Sequence, residues 1–200
     1  MGKQAQIVAA VWRVILERGI AGVSFRTVAD AAGVSVGLVQ HYHGSKEELI
    51  RASASAMIHG SEARYREADA SQPPAEVVRH LVVHAIPTSP REIDGVVVWH
   101  AYLAACVTDD GLAALLRGAK AGQEQELARH LSGRMPASEA LPVARSLIAV
   151  ADGLGIRVIT GELTGDEAVA AAESAIRLSL SAAARATPAM PATASGAART

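Results

Sequence analysis

Residues 25–49, FRTVADAAGVSVGLVQHYHGSKEEL, constrain the fold of this chain more than any other stretch. Ser24 stands where an N-cap is needed for a helix over about Phe25–Ala32, and Ser35 does the same for a helix over about Val36–His43. Gly33 lies between them and can take the left-handed conformation that a sharp helix–helix turn requires. Ser45 with Glu48 three residues later forms a capping box that opens a further helix. Two short helices at a tight angle with a third behind them form a unit built to present one helix outward.

Helical patterning fills the rest of the chain. Ile7, Ala10, Val11, Val14 and Ile15 make one apolar face over about residues 3–18, and Gly19 supplies the stop. The helix opened at Ser45 is predicted to reach about Ala68, where Ser71-Gln72-Pro73-Pro74 ends it and starts another. Pro87 and Pro90 bracket the next break, and helices follow over about 91–108 and 110–132. Pro136 and Pro142 predict a loop and a new start, with a helix over about 142–160 that stops at Gly161. Thr164 and Glu167 form a second capping box for a last helix to about Ala184. No useful strand alternation occurs, and a composition rich in alanine with only 3% aromatics suits packed helices. The expected architecture is therefore all-α, with a three-helix helix-turn-helix unit at 1–50, a helical domain at 51–184 and a disordered tail at 185–200 rich in Ala, Thr, Pro and Ser.

Charge and cysteine content narrow the setting. The net charge is −1, which excludes a histone-like polycation, but residues 1–51 carry +2 and the remainder −3, a mild segregation toward a basic head. Cys106 is the only cysteine, so no internal disulfide forms and a reducing cytoplasm is expected. The apolar run near the N-terminus is interrupted by Arg13, Glu17 and Arg18, unlike a signal peptide, and no apolar stretch is long enough to span a bilayer.

The outward helix has the chemistry of a groove reader. Val28, Ala29, Ala32, Val34 and Val39 can lock the unit onto the first helix, which leaves Val36, Gly37, Leu38, Gln40, His41, Tyr42 and His43 facing outward. Gln40 can pair with an adenine edge, and Val36 or Leu38 can touch a thymine methyl. Ser35, His41, Tyr42 and Lys46 suit phosphate oxygens, aided by the N-terminus of the helix opened at Ser45.

These residues carry a resemblance. Gly19, Ser24-Phe25-Arg26-Thr27-Val28-Ala29, Ala32-Gly33-Val34-Ser35, Gly37-Leu38-Val39-Gln40-His41-Tyr42-His43 and Gly44-Ser45-Lys46-Glu47-Glu48-Leu49 resemble the N-terminal domain of TetR/AcrR-family transcriptional regulators. The resemblance implies that Arg26, Val36, Gly37 and Gln40 face bases, while Ser35, His41, Tyr42 and Lys46 face phosphates. It also implies a homodimer on double-stranded operator DNA, released by a small-molecule effector bound in the C-terminal domain, with no cofactor and no membrane partner. Many members carry Tyr at the position of Gln40 and Phe at that of His43; the first difference implies another operator, the second a looser head core. Asp152-Gly153-Leu154-Gly155-Ile156-Arg157 resembles the dimerisation helices of the betaine-regulator-like branch.

Within the second domain, His84, Trp99, Tyr102, Leu103, Cys106, Met57 and Tyr65 are expected to line the effector pocket, as apolar walls with a few polar groups. Leu147, Ala151, Leu154 and Val158, with Ala172 and Ile176 of the last helix, are expected to form a two-fold interface. His80 and His84 share a helical face, but nothing nearby completes a zinc set, so no metal is expected. Cys106 reads as a small hydrophobe, and Gly153 and Gly155 as points of close helix packing. An enzyme would need a converging nucleophile, base or metal set, and Asp109-Asp110 and the histidines show no such pattern. A helical binding module that ignores DNA is the other alternative, and it would lack salt-dependent DNA affinity.

Overall fold

The computed structural model describes residues 2–186, which form α1 (Lys3–Arg18), α2 (Phe25–Ala32), α3 (Val36–Tyr42), α4 (Lys46–Ser71), α5 (Pro74–Val83), α6 (Pro90–Ala105), α7 (Asp110–Leu131), α8 (Ala137–Ile159) and α9 (Gly165–Ala186). Short 3-10 turns follow α1 at Ile20–Gly22 and α6 at Cys106–Thr108, and no strand occurs among the described residues. The fold is all-α with a helix-turn-helix head, as the sequence predicts. Of the expected tail, residues 185 and 186 complete α9, and 187–200 lie outside the described residues.

Local chemistry sets most joints. Ser24 caps α2 by accepting the Thr27 N–H, and Thr27 Oγ1 accepts the Ser24 N–H in return at 3.0 Å, closing a capping box with Thr in place of the usual Glu. Gly33 ends α2 at φ 63°, ψ 40°, and the Val34 N–H bonds back to Ala29 O at 3.0 Å. From α1, Gln6 Nε2 donates to Ala32 O at 2.7 Å, which satisfies one of the carbonyls that α2 leaves open. Ser45 Oγ accepts the Glu48 N–H at 3.0 Å, but the Glu48 carboxylate takes the Gly44 N–H rather than that of Ser45. Thr164 and Glu167 close their box at α9 in both directions.

One start differs from expectation. Helix α8 begins at Ala137, and Pro142 lies inside it. Burial of Ala140 and Ala144 against the core holds the turn around Pro142 helical. Pro142 and Ser138, whose carbonyl loses its usual partner, are both exposed, so water can serve that carbonyl.

Two apolar clusters organise the molecule. One joins the head to the base of the second domain: Ile7, Val11, Val28 and Val39 pack with Leu49 of α4, Val98 and Tyr102 of α6, and Leu112 and Leu116 of α7. Tyr102 is wholly buried, and its hydroxyl lies 2.7 Å from Ser53 Oγ. The other gathers α5, α7, α8 and α9 around Val78, Leu81, Leu127, Leu147, Ile148 and Ala172. Gly155 belongs to this contact: a Cβ there would lie 2.4 Å from the backbone oxygen of Ala85, so only glycine lets α8 cross the end of α5.

The second cluster corrects the expected interface. Leu147, Ala151, Leu154, Ala172 and Ile176 are buried within the single chain, and Val158 packs against the same cluster. The best apolar stripe of each helix is consumed by its own core. A second stripe remains exposed: Ala149, Val150, Gly153 and Ile156 on α8, with Ala171, Leu178 and Ala182 on α9. An added Cβ at Gly153 would meet nothing within 4 Å among the described residues, so close packing between them does not explain that glycine.

Candidate nucleic-acid interface

The head positions α3 by burying one residue and releasing its neighbours. Val39 is fully buried against α1 and α2, while Val36, Gly37, Gln40, His41 and Tyr42 are exposed and Leu38 is half-buried. An added Cβ at Gly37 would meet nothing, so the outer face of α3 is open from its first turn. Arg26, the second residue of α2, is exposed. Ser35 is committed as the N-cap of α3, its Oγ accepting the Leu38 N–H at 3.2 Å, with its surface still exposed. Lys46 is half-buried and donates from Nζ to Ala21 O at 3.3 Å, which holds the start of α4 to the turn after α1. Glu47 and Glu48 sit in the first turn of α4, where their charge already complements the helix N-terminus that was expected to aid phosphate contact.

His43 departs from its expected outward place. Helix α3 stops at Tyr42, and His43 turns extended at φ −142°, ψ 118°, which swings the imidazole inward. Only 5% of it is exposed, and its buried Nε2 has no hydrogen-bond partner among the described residues. Burial holds its pKa below the ordinary 6.5, with the Glu48 carboxylate opposing.

The residues expected to form one pocket are only partly brought together. Tyr102 is core, and Met57, Trp99 and Cys106 pack against that same cluster. Leu103 lies on the surface. Tyr65 is half-buried at a polar junction of α4 and α7, its hydroxyl donating to Glu126. Trp99 and His84 do share a neighbourhood. Lys120 Nζ lies 5.9 Å from the centroid of the Trp99 ring and 2.7 Å from Asp152 Oδ1. Gln123 Nε2 lies 3.3 Å from His84 Nδ1 and donates to Leu81 O at 3.0 Å. Sequence reasoning missed Lys120, Gln123 and Asp152, because their meeting depends on how α7 and α8 cross. His84 is exposed, yet desolvation by the protein packed around it, and next the Lys120 ammonium, holds its pKa low. His80 is likewise held low by burial and then by Arg64 and Arg79, cations that oppose metal binding there.

Two open clefts flank the head. One of about 540 Å³ lies between α1 and α4, walled by Val8, Ala9, Trp12, Ala52 and Ala56 with Ser55 and His59 at its edge. The other, about 250 Å³, lies beside Ile50, Asp109 and Leu112. Neither is lined by the residues expected to bind the effector.

Comparison with known proteins accords with this geometry. Residues 7–53 match the family described as bacterial regulatory proteins, tetR family, and residues 74–181 match the BetI-type transcriptional repressor, C-terminal family. The chain is 31% identical over 168 residues to the HTH-type transcriptional regulator BetI of Stenotrophomonas maltophilia, covering 82% of this chain and 84% of that one. A transcriptional regulator from Rhodococcus sp. Rha1 superposes with a TM-score of 0.82 at 26% identity, covering 92% of this chain and 99% of that one. A transcriptional regulator from Saccharomonospora viridis, solved in complex with choline, shares the fold with a TM-score of 0.77 at 22% identity, covering 87% of this chain and 95% of that one. These relatives are transcriptional regulators, not enzymes.

Proposed function

We propose that this chain, which belongs to the tetR family of bacterial transcriptional regulators and carries a BetI-type C-terminal region, is a dimeric repressor released from a palindromic operator by a small molecule. The observation that carries the reading is the open face of α3, where Val36, Gly37, Gln40, His41 and Tyr42 stand free while Val39 anchors the helix from behind. In this reading Gln40, Val36, Gly37 and Arg26 read bases, and Ser35, His41, Tyr42 and Lys46 contact phosphates. One such head has a weak grip, and a dimer places two heads about one helical turn or more apart on the duplex. The exposed stripe of α8 and α9 is the surface proposed to join the two copies.

The effector site is proposed around Trp99, His84 and Gln123, with Lys120 and Asp152 as its charged pair. Aromatic faces hold organic cations, and here Lys120 already occupies that position over Trp99. A quaternary ammonium effector such as the choline held by the Saccharomonospora viridis protein would displace Lys120 and keep Asp152 as its counter-ion. To release DNA, it need only prefer the DNA-incompetent arrangement of the heads.

The test is selection of bound duplexes from a random pool, followed by gel-shift titrations at several salt concentrations. Gln40→Ala is expected to change base preference, and Lys46→Ala to weaken all duplexes alike and flatten the salt slope. Absence of preference for any duplex rejects the reading. Release of the selected operator by choline, blunted in Trp99→Ala, tests the effector site; a folded Trp99→Ala that responds at wild-type concentrations makes Trp99 core packing.

A further inference from the structure

Asp69 near the end of α4 meets Glu126 and His130 of α7, one donor atom from each lying within 4.8 Å of the others. His130 Nε2 is 3.1 Å from Asp69 Oδ1 and 3.8 Å from Glu126 Oε1. A tetrahedral zinc ion with N and O ligands at about 2.1 Å spaces its donors roughly 3.4 Å apart, a value these two distances bracket. The imidazole is 9% exposed, against 35% for the Asp69 side chain and 32% for Glu126, so the group has a buried floor and an open mouth.

A cation already sits at its centre. Arg129 Nη2 lies 3.2 Å from Asp69 Oδ2, 3.2 Å from the Tyr65 hydroxyl and 2.9 Å from His130 Nε2, and it donates to Glu126. Arg129 carries only donors, so His130 Nε2 meets it at 2.9 Å with its lone pair, while the Asp69 carboxylate stands 3.1 Å away at ion-pair distance. A metal dication in the place of the guanidinium would be met by the same imidazole lone pair and by both carboxylates.

We propose that Asp69, Glu126 and His130 form a binding site for a first-row divalent metal of the zinc type, in which Arg129 is the place-holder that swings out when the ion enters. One imidazole with two carboxylates suits zinc or cobalt and disfavours magnesium and calcium, which take oxygen ligands. The Arg129 side chain is 55% exposed, so it has water to move into. Tyr65, whose hydroxyl is 3.0 Å from His130 Nε2, lies beside the fourth position. A bound ion would tie the distal end of α4 to α7.

The test uses tag-free, chelator-stripped full-length protein, titrated with zinc by calorimetry and with cobalt by visible absorption, with folding checked by circular dichroism. One ion per chain is expected. His130→Ala and the nearly isosteric Asp69→Asn should each weaken binding by about tenfold or more, and His59→Ala, at an exposed histidine of α4, should leave it unchanged. Arg129→Ala should tighten binding, because the competing cation is gone; a merely structural arginine would give no gain. The proposal is overturned by absence of saturable binding, by a folded Asp69→Asn that titrates like the wild type, by loss of binding in His59→Ala, or by unchanged or weaker binding in Arg129→Ala.

Discussion

Arg51 reaches across from α4 to the first residue before α7, placing Nη1 3.1 Å from both carboxylate oxygens of Asp109. Asp109 has a second duty there: its Oδ1 accepts the Leu112 N–H at 2.9 Å as the N-cap of α7. The helix that leaves the reading head is thus tied to the start of a helix that lines the second core.

Asp109→Ala should cost about 1–2 kcal/mol, of which the lost cap supplies about 1 kcal/mol. Arg51→Ala should cost less, because its side chain is 36% exposed and a pair so screened contributes at most about 1 kcal/mol. Asp109→Ser, which keeps a capping oxygen, should fall between wild type and alanine. Thermal midpoints check the order. Equal losses for Arg51→Ala and Asp109→Ala would assign the whole effect to the ion pair.

His43 should make the head sensitive to acid. Its folded pKa is held below 6.5, so the unfolded chain takes the proton first, and stability falls as pH drops through about 6.5. The partnerless Nε2 adds a cost at every pH. His43→Phe should raise neutral-pH stability by about 1 kcal/mol and remove part of the acid slope. His80 and His84 are also held low and stay in both proteins, so the difference between the two melting profiles from pH 5 to 7.5 is the readout. Parallel profiles would clear His43 of this role.

The assembly prediction rests on which stripe is free. Val150→Glu with Leu178→Glu alters residues 43% and 67% exposed in the single chain. The double variant should stay folded and sediment as a monomer at concentrations where the wild type is a dimer. Leu154→Arg should instead unfold the chain, because it puts a charge among the residues of α5, α8 and α9. A double variant that remains dimeric would move the interface elsewhere.

Legibility in the sequence followed the range of the forces involved. The caps at Ser24, Ser35 and Thr164, the left-handed Gly33 and the helix stop at Gly161 are readable, since each joint is settled within a few residues. At His43 the sequence failed by one residue: the same side chain faces a groove if α3 continues and the core if it stops at Tyr42. For Pro142 the local rule for a helix start was overruled by burial of Ala140 and Ala144. Leu147, Ala151 and Leu154 form the apolar stripe that periodicity predicts, but periodicity reports that a face is covered, not which chain covers it. The groupings of Trp99 with Lys120, and of Asp69 with His130, span distant helices and had no local signal at all.

Two glycines of α8, two residues apart, should respond with opposite sign to the same substitution. At Gly155 an added Cβ would sit 2.4 Å from Ala85 O, a backbone atom that cannot rotate away, so Gly155→Ala must push α8 from the end of α5. A loss of about 1–3 kcal/mol is expected from such overpacking. At Gly153 the Cβ would meet nothing, and alanine gains up to about 1 kcal/mol of helix propensity. Because Gly153 lies on the proposed two-fold face, both changes belong in the monomeric Val150→Glu, Leu178→Glu background, where only the chain's own packing is read. Denaturant melts should then move in opposite directions. If both variants lose stability alike, the open space beside Gly153 is filled in solution, and the free stripe assigned to α8 is wrong.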